Sequence, residues 1–163
     1  MTQEPRFPSS ESDASRNRPL GARWIVSEPT GRWAIALRRE AGAEGPRLFE
    51  TRSLADAWSM LERFPASFLV AELTSGGAGA LLDAMARLGS TFPKARIAVV
   101  ADRALSDWEW LAREAGAAWF AASPREVRPI VAIARRHLHL APAAGDFLEE
   151  LWNLLPWKPA DEQ

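Results

Sequence analysis

From residue 23 to residue 140 the chain alternates between two hydrophobic rhythms. RWIVS (23–27), RLFET (47–51), SFLVA (67–71), RIAVV (96–100) and AAWFA (117–121) are short apolar runs that suit buried strands. The stretches between them place apolar residues at helical spacing. Trp33, Leu37 and Ala41 recur along 31–41, before a turn at 42–46, and Leu54, Trp58 and Leu61 share a face of 54–64. A third helix is predicted over 80–88, after a Gly-rich loop at 74–79. Ser53 is placed to cap the second helix, and Ser106 to cap a fourth over 107–115 that Gly116 ends. The fifth helix, over 125–139, is entered through Pro124. Trp58 and Phe68 are expected to be largely buried.

Five strand–helix units predict an α/β fold, a parallel sheet covered by helices on both faces. Their number and length suit the five-stranded doubly wound, flavodoxin-like arrangement with strand order 2-1-3-4-5. Ligands of such sheets bind outside the carboxyl ends of the strands. That directs attention to residues 27–28, 72–79, 101–102 and 122–124. Both flanks differ in composition. Residues 1–22 are rich in Pro, Ser, Asn, Asp and Arg, and are expected to form a disordered tail. Residues 141–146 (APAAGD) read as a linker, and 147–163 as a C-terminal amphipathic helix and tail.

Composition removes several kinds of chemistry. The 163 residues contain no Cys and only two His, which rules out thiol catalysis, Cys-ligated metals and multi-His centres. A net charge of −1 argues against a general nucleic-acid surface. No apolar run reaches membrane-spanning length, and no signal-peptide core is seen at the N-terminus, so a cytoplasmic protein is expected. No cofactor or metal is implied by the residues present, and no constellation supports a hydrolase or transferase. The charge is uneven: 23–140 is net +3, whereas 141–163 sets Lys158 against Asp146, Glu149, Glu150, Asp161 and Glu162.

The segments SLADAWSMLERFPASFLVAEL (53–73) and REAGAAWFAASPREVRPIVAIARRHL (113–138), in this order and spacing, resemble the receiver (CheY-like) domain of bacterial response regulators. The resemblance spans residues 23–140. It implies an acidic pair after strand one that holds Mg²⁺, and an Asp after strand three that accepts a phosphoryl group. It also implies a hydroxyl after strand four and a Lys before Pro after strand five. Laid on this chain, those positions become Ser27 and Glu28, Glu72, Ala101, and Ser123 before Pro124. The aromatic that reports the state of such domains falls at Phe120. Glu72 is one methylene longer than the expected Asp, Ala101 cannot hydrogen-bond a phosphoryl oxygen, and Ser123 supplies no positive charge. The chain therefore reads as a degenerate pseudo-receiver, a non-catalytic protein-interaction module in bacterial signalling or assembly. The alternative is a phosphoryl-accepting or small-ligand-binding regulator that uses a Glu28/Glu72 pocket.

Several features carry competing interpretations. Glu72 reads first as a solvated loop carboxylate, with a phosphomimic or a loose ion site shared with Glu28 behind it. The 74–79 loop lacks the ending of a P-loop and reads as a flexible loop. His137 and His139 lie two apart on a helix end, a poor metal clamp. Trp108 and Trp110 cannot both face a core, so Trp110 is expected outside, as a contact anchor. In the C-terminal segment, Phe147, Leu151, Trp152 and Leu155 belong to an apolar stripe behind an Asp146/Glu149 capping box. So short a helix needs a surface to lie on, and the favoured surface is a partner protein's. The expected contact surface thus combines this segment with Trp110 and Phe120, and leaves room for a homodimer. Neither nucleic acid nor membrane is an expected partner.

Overall fold

The computed structural model describes residues 21–141. Five strands form one parallel sheet in the order β2-β1-β3-β4-β5. The strands are β1 (Trp24–Ser27), β2 (Leu48–Thr51), β3 (Phe68–Leu73), β4 (Arg96–Ala101) and β5 (Trp119–Ala121). The helices are α1 (Arg32–Ala41), α2 (Leu54–Arg63), α3 (Ala78–Thr91), α4 (Glu109–Glu114) and α5 (Arg128–Leu140). This is the predicted flavodoxin-like topology. None of these helices is long and apolar enough to cross a membrane.

The central strands are apolar on both faces because both faces are covered. Trp24, Val26, Phe68 and Val70 meet Trp33 and Leu37 of α1 and Ile130 of α5 on one side. Ile25, Leu69, Ile97 and Val99 meet Leu61 of α2, Met85 of α3 and Ala112 of α4 on the other. The register sets Trp24 beside Phe68 and Ser27 beside Ala71, so β3 runs two residues past the end of β1. The order reverses between these two strands, and the crevice above them is where Glu28 and Glu72 sit.

Some expectations need correction. Trp58 is only half-buried. The buried line of α2 runs through Ala57 and Leu61, which leaves Trp58 at the helix edge, against Phe92 and under the Arg87 guanidinium. Helix α3 starts two residues early and runs three residues past Leu88, absorbing the end of the Gly-rich loop. There Thr74 Oγ1 accepts a hydrogen bond from Gly77 N at 3.1 Å and closes the turn. Ser106 caps no helix. It lies inside a 3-10 segment, 103–108, kinked at Leu105, and α4 begins only at Glu109. Helix α5 begins at Arg128, because Ser123 Oγ and its carbonyl oxygen hold a turn through Arg125 N and Glu126 N. The expected tail (1–22, apart from its last two residues) and the C-terminal segment with Phe147, Leu151, Trp152 and Leu155 lie outside the described residues.

Candidate functional site

The site forms where β1 and β3 end and α1 begins. A helix N-terminus presents backbone N–H groups with no partner in the helix itself. In α1 the preceding residue is Gly31, at φ 84°, which offers no side chain to cap them. Glu28 does it instead from the end of β1. Its Oε2 accepts from Trp33 N at 3.0 Å and its Oε1 from Ala34 N at 2.5 Å. Thr30 Oγ1 adds a long contact of 3.5 Å to Oε2. The Glu28 residue is 1% exposed, and its charge faces the positive end of the α1 dipole. Both carboxylate oxygens are thus committed to α1.

The first residue of α1 then crosses the crevice. Arg32 Nη2 donates to Glu72 Oε1 at 2.5 Å, and Nη1 to Asp102 Oδ1 at 2.7 Å. The Trp33 indole N–H donates to the same Glu72 oxygen at 3.1 Å. One guanidinium therefore joins the end of β3 to the loop after β4. The Glu72 side chain is 6% exposed, against 65% for Asp102. The expected solvated carboxylate at Glu72 is overturned: the group is buried, and its charge is compensated by an arginine on another element. Its second oxygen, Oε2, and Arg32 Nε are buried without a hydrogen-bond partner. The hydrogen bond to Asp102, followed by contacts with Glu72, holds Arg32 above its ordinary pKa. The same hydrogen bond holds the Asp102 carboxyl below the ordinary carboxylate range.

A cleft of about 240 Å³ borders this network, lined by Ser27, Glu28, Arg52, Glu72 and Thr74 among others. Its rim carries a second charge group, in which Arg38 and Arg52 both pair with Glu50. Ser27 and Ala101 are buried at their strand ends. Ser123 serves the turn before α5 and forms no hydrogen bond to Glu72 or Arg32. Among the described residues no three His, Cys, Asp or Glu side chains converge as a metal site would require. The donors present do not fit the ion that the receiver resemblance implies. Ser27 brings no charge, both Glu28 oxygens are spent on backbone N–H groups, and a guanidinium already neutralises Glu72.

Arg32 and Trp33 escaped the reading of the sequence. The available signal was weak: an Arg-Trp pair at a helix start, just after Pro29, Thr30 and Gly31. Trp110 lies outside as expected, 67% exposed on α4. Phe120, expected on the contact surface, is 5% exposed and packs in the core beneath α4. β5 alternates its faces, and the neighbouring half-buried Trp119 stacks with Arg113 instead.

No protein-family model and no curated protein sequence matches the chain. Solved structures do match. A response regulator from Thermotoga maritima superposes with a TM-score of 0.60 at 15% identity, covering 74% of this chain and 99% of that one. A CheY-like protein from Pseudomonas aeruginosa gives 0.56 at 17% identity, over 77% and 99%. A Burkholderia pseudomallei response regulator, solved with a phosphorylated aspartic acid, calcium ion and citrate, gives 0.54 at 21% identity, over 82% and 75%. Together these similarities show that the chain has the fold of response-regulator receiver domains.

Proposed function

We propose that this chain is a pseudo-receiver: a receiver scaffold that has given up phosphoryl transfer and serves as a protein-interaction module. The observation that carries this reading is the Arg32 guanidinium, bonded at 2.5 Å to Glu72 and at 2.7 Å to Asp102. It supplies a permanent positive charge beside the position where a receiver presents its phosphoacceptor. Glu72 Oε1 already accepts two hydrogen bonds and Oε2 is buried, so the carboxylate is poorly placed to act as a nucleophile. Ser123 brings no positive charge and Ala101 no hydroxyl to steady an acyl phosphate.

What remains functional is surface. Trp110, exposed on α4, is the anchor we assign to a protein partner, and Trp119 with Arg113 extends the same side. The C-terminal stripe of Phe147, Leu151, Trp152 and Leu155 is the second contact element. Glu72 lines the cleft, and its buried, unbonded Oε2 favours a small-ligand role as the second reading. One experiment tests the loss of phosphoryl transfer. Incubation with Mg²⁺ and acetyl phosphate, followed by intact-mass analysis, should leave the protein unmodified, and the Glu72→Asp variant likewise. A mass gain of one phosphoryl group on the unaltered chain would overturn the reading.

A further inference from the structure

The end of the sheet opposite the Arg32 site carries a second, separate array of arginines. The Arg23 guanidinium lies 5.2 Å from the centroid of Phe49 and 4.8 Å from that of Phe64. Arg47 lies over Phe49 at 5.1 Å, and Arg63 over Phe64 at 5.7 Å. The result is a ladder, Arg47–Phe49–Arg23–Phe64–Arg63, drawn from the start of β1, from β2 and its approach, and from the end of α2. Stacking on aromatic faces holds the three cations in place without neutralising them. Glu62 and Glu44 are close in sequence, yet among the described residues no carboxylate forms an ion pair with Arg23, Arg47 or Arg63. Arg23 Nε is buried with no hydrogen-bond partner. A cationic surface so fixed calls for an acidic, partly apolar occupant.

The chain leaves the fold beside this ladder. In the last turn of α5, His137 Nε2 contacts Ala66 O at 2.8 Å, and its ring packs against Phe68. The next residue, Ser67, accepts through Oγ from Arg23 N at 2.9 Å, and Phe68 N donates to Arg23 O. Leu140, which ends α5, is 68% exposed and available to guide the exit. The five residues 141–145 reach at most about 17 Å when extended. Beyond them lies DFLEELWNLLPW (146–157), which combines Asp146, Glu149 and Glu150 with large apolar residues.

We propose that residues 146–157 of this chain fold back onto the Arg23–Arg47–Arg63 ladder. Their carboxylates meet the three guanidiniums, and Phe147, Leu151 and Trp152 lie against Phe49 and the open guanidinium faces of Arg47 and Arg63. The segment is tethered a few residues from its site, so docking meets a high effective concentration and does not require intrinsic tight binding. A partner that takes the segment must compete with the ladder for it.

The absence of cysteine in the chain gives a clean test. A nitroxide spin label on full-length Asn153→Cys should erase the amide NMR signals of Arg47, Phe49, Arg63 and Phe64. Adding Arg47→Glu with Arg63→Glu should restore them, and a further Glu149→Arg with Glu150→Arg should erase them again. Both arginines are exposed, and Arg47→Gln with Arg63→Gln serves if reversal disturbs folding. No loss at the ladder overturns the proposal. So does a loss centred on Trp58 and Arg87 or on Trp110. So does a loss that appears only between copies, in a mixture of spin-labelled and isotope-labelled chains.

Discussion

Removing the Arg32 guanidinium would leave the Glu72 carboxylate, 6% exposed, with only the Trp33 indole as a donor. Hydrogen bonds to charged groups contribute about 1.5–3 kcal/mol, and the exposure of Arg32 tempers that figure. Arg32→Ala should therefore cost about 1–3 kcal/mol in urea unfolding. In a double-mutant cycle with Glu72→Gln the two losses should not add. Strict additivity would show that the pair is not coupled. Asp102 acts in acid. Its pKa is lowered in the folded state, chiefly by the Arg32 hydrogen bond. Its contribution is present above the ordinary carboxylate pKa and fades as the pH falls through the lowered folded value. Because the side chain is 65% exposed, the effect is small. A stability–pH curve of Asp102→Asn should lack this part of the acid slope, and an unchanged slope would remove Asp102 from the network. None of this was legible at Glu72 itself. The sequence shows a carboxylate at a strand end, but the group that neutralises it lies 40 residues earlier, and only the fold brings the two together.

At the scale of elements, the apolar runs and helical spacings located every strand, and they located all five helices to within three residues at the N-terminus. These signals are local, and burial on both faces of the sheet reinforces them. The 3-10 segment ahead of α4 was not legible, since the Leu105 kink answers to packing and no capping residue announces it. Helix α2 shows both outcomes. Ser53 Oγ accepts from Asp56 N at 3.1 Å, as its capping position predicts, so Ser53→Ala should cost about 1 kcal/mol. Trp58 was placed on the right face but too deep. Phe68, fully buried, should cost about 3–5 kcal/mol when cut to Ala. Trp58→Ala should cost clearly less, because part of the ring was already open to water. Thermal unfolding of the two variants checks the ranking, and equal losses would put Trp58 in the core after all.

For the whole molecule, the topology was predictable from the alternation of elements, and it places Glu28, Glu72 and Asp102 at one end. The arginine ladder sits at the other end, and Trp110 on the side. Trp110→Ala should leave stability within about 0.5 kcal/mol, since the ring is mostly in water, while it removes partner capture. A marked loss of stability would return that tryptophan to a packing role. In the proposed reading the Arg32 guanidinium, fixed by this fold, stands where a receiver keeps a divalent ion. The Trp33 indole N–H is bonded to Glu72 and reports on that spot directly. Its NMR signal, assigned through Trp33→Phe, can be followed while Mg²⁺ is raised through the millimolar range. The signal should stay in place, apart from a non-saturating drift with ionic strength. A saturable shift shared with the amides of Glu28 and Asp102 would contradict it, since it would show that the site still takes the ion.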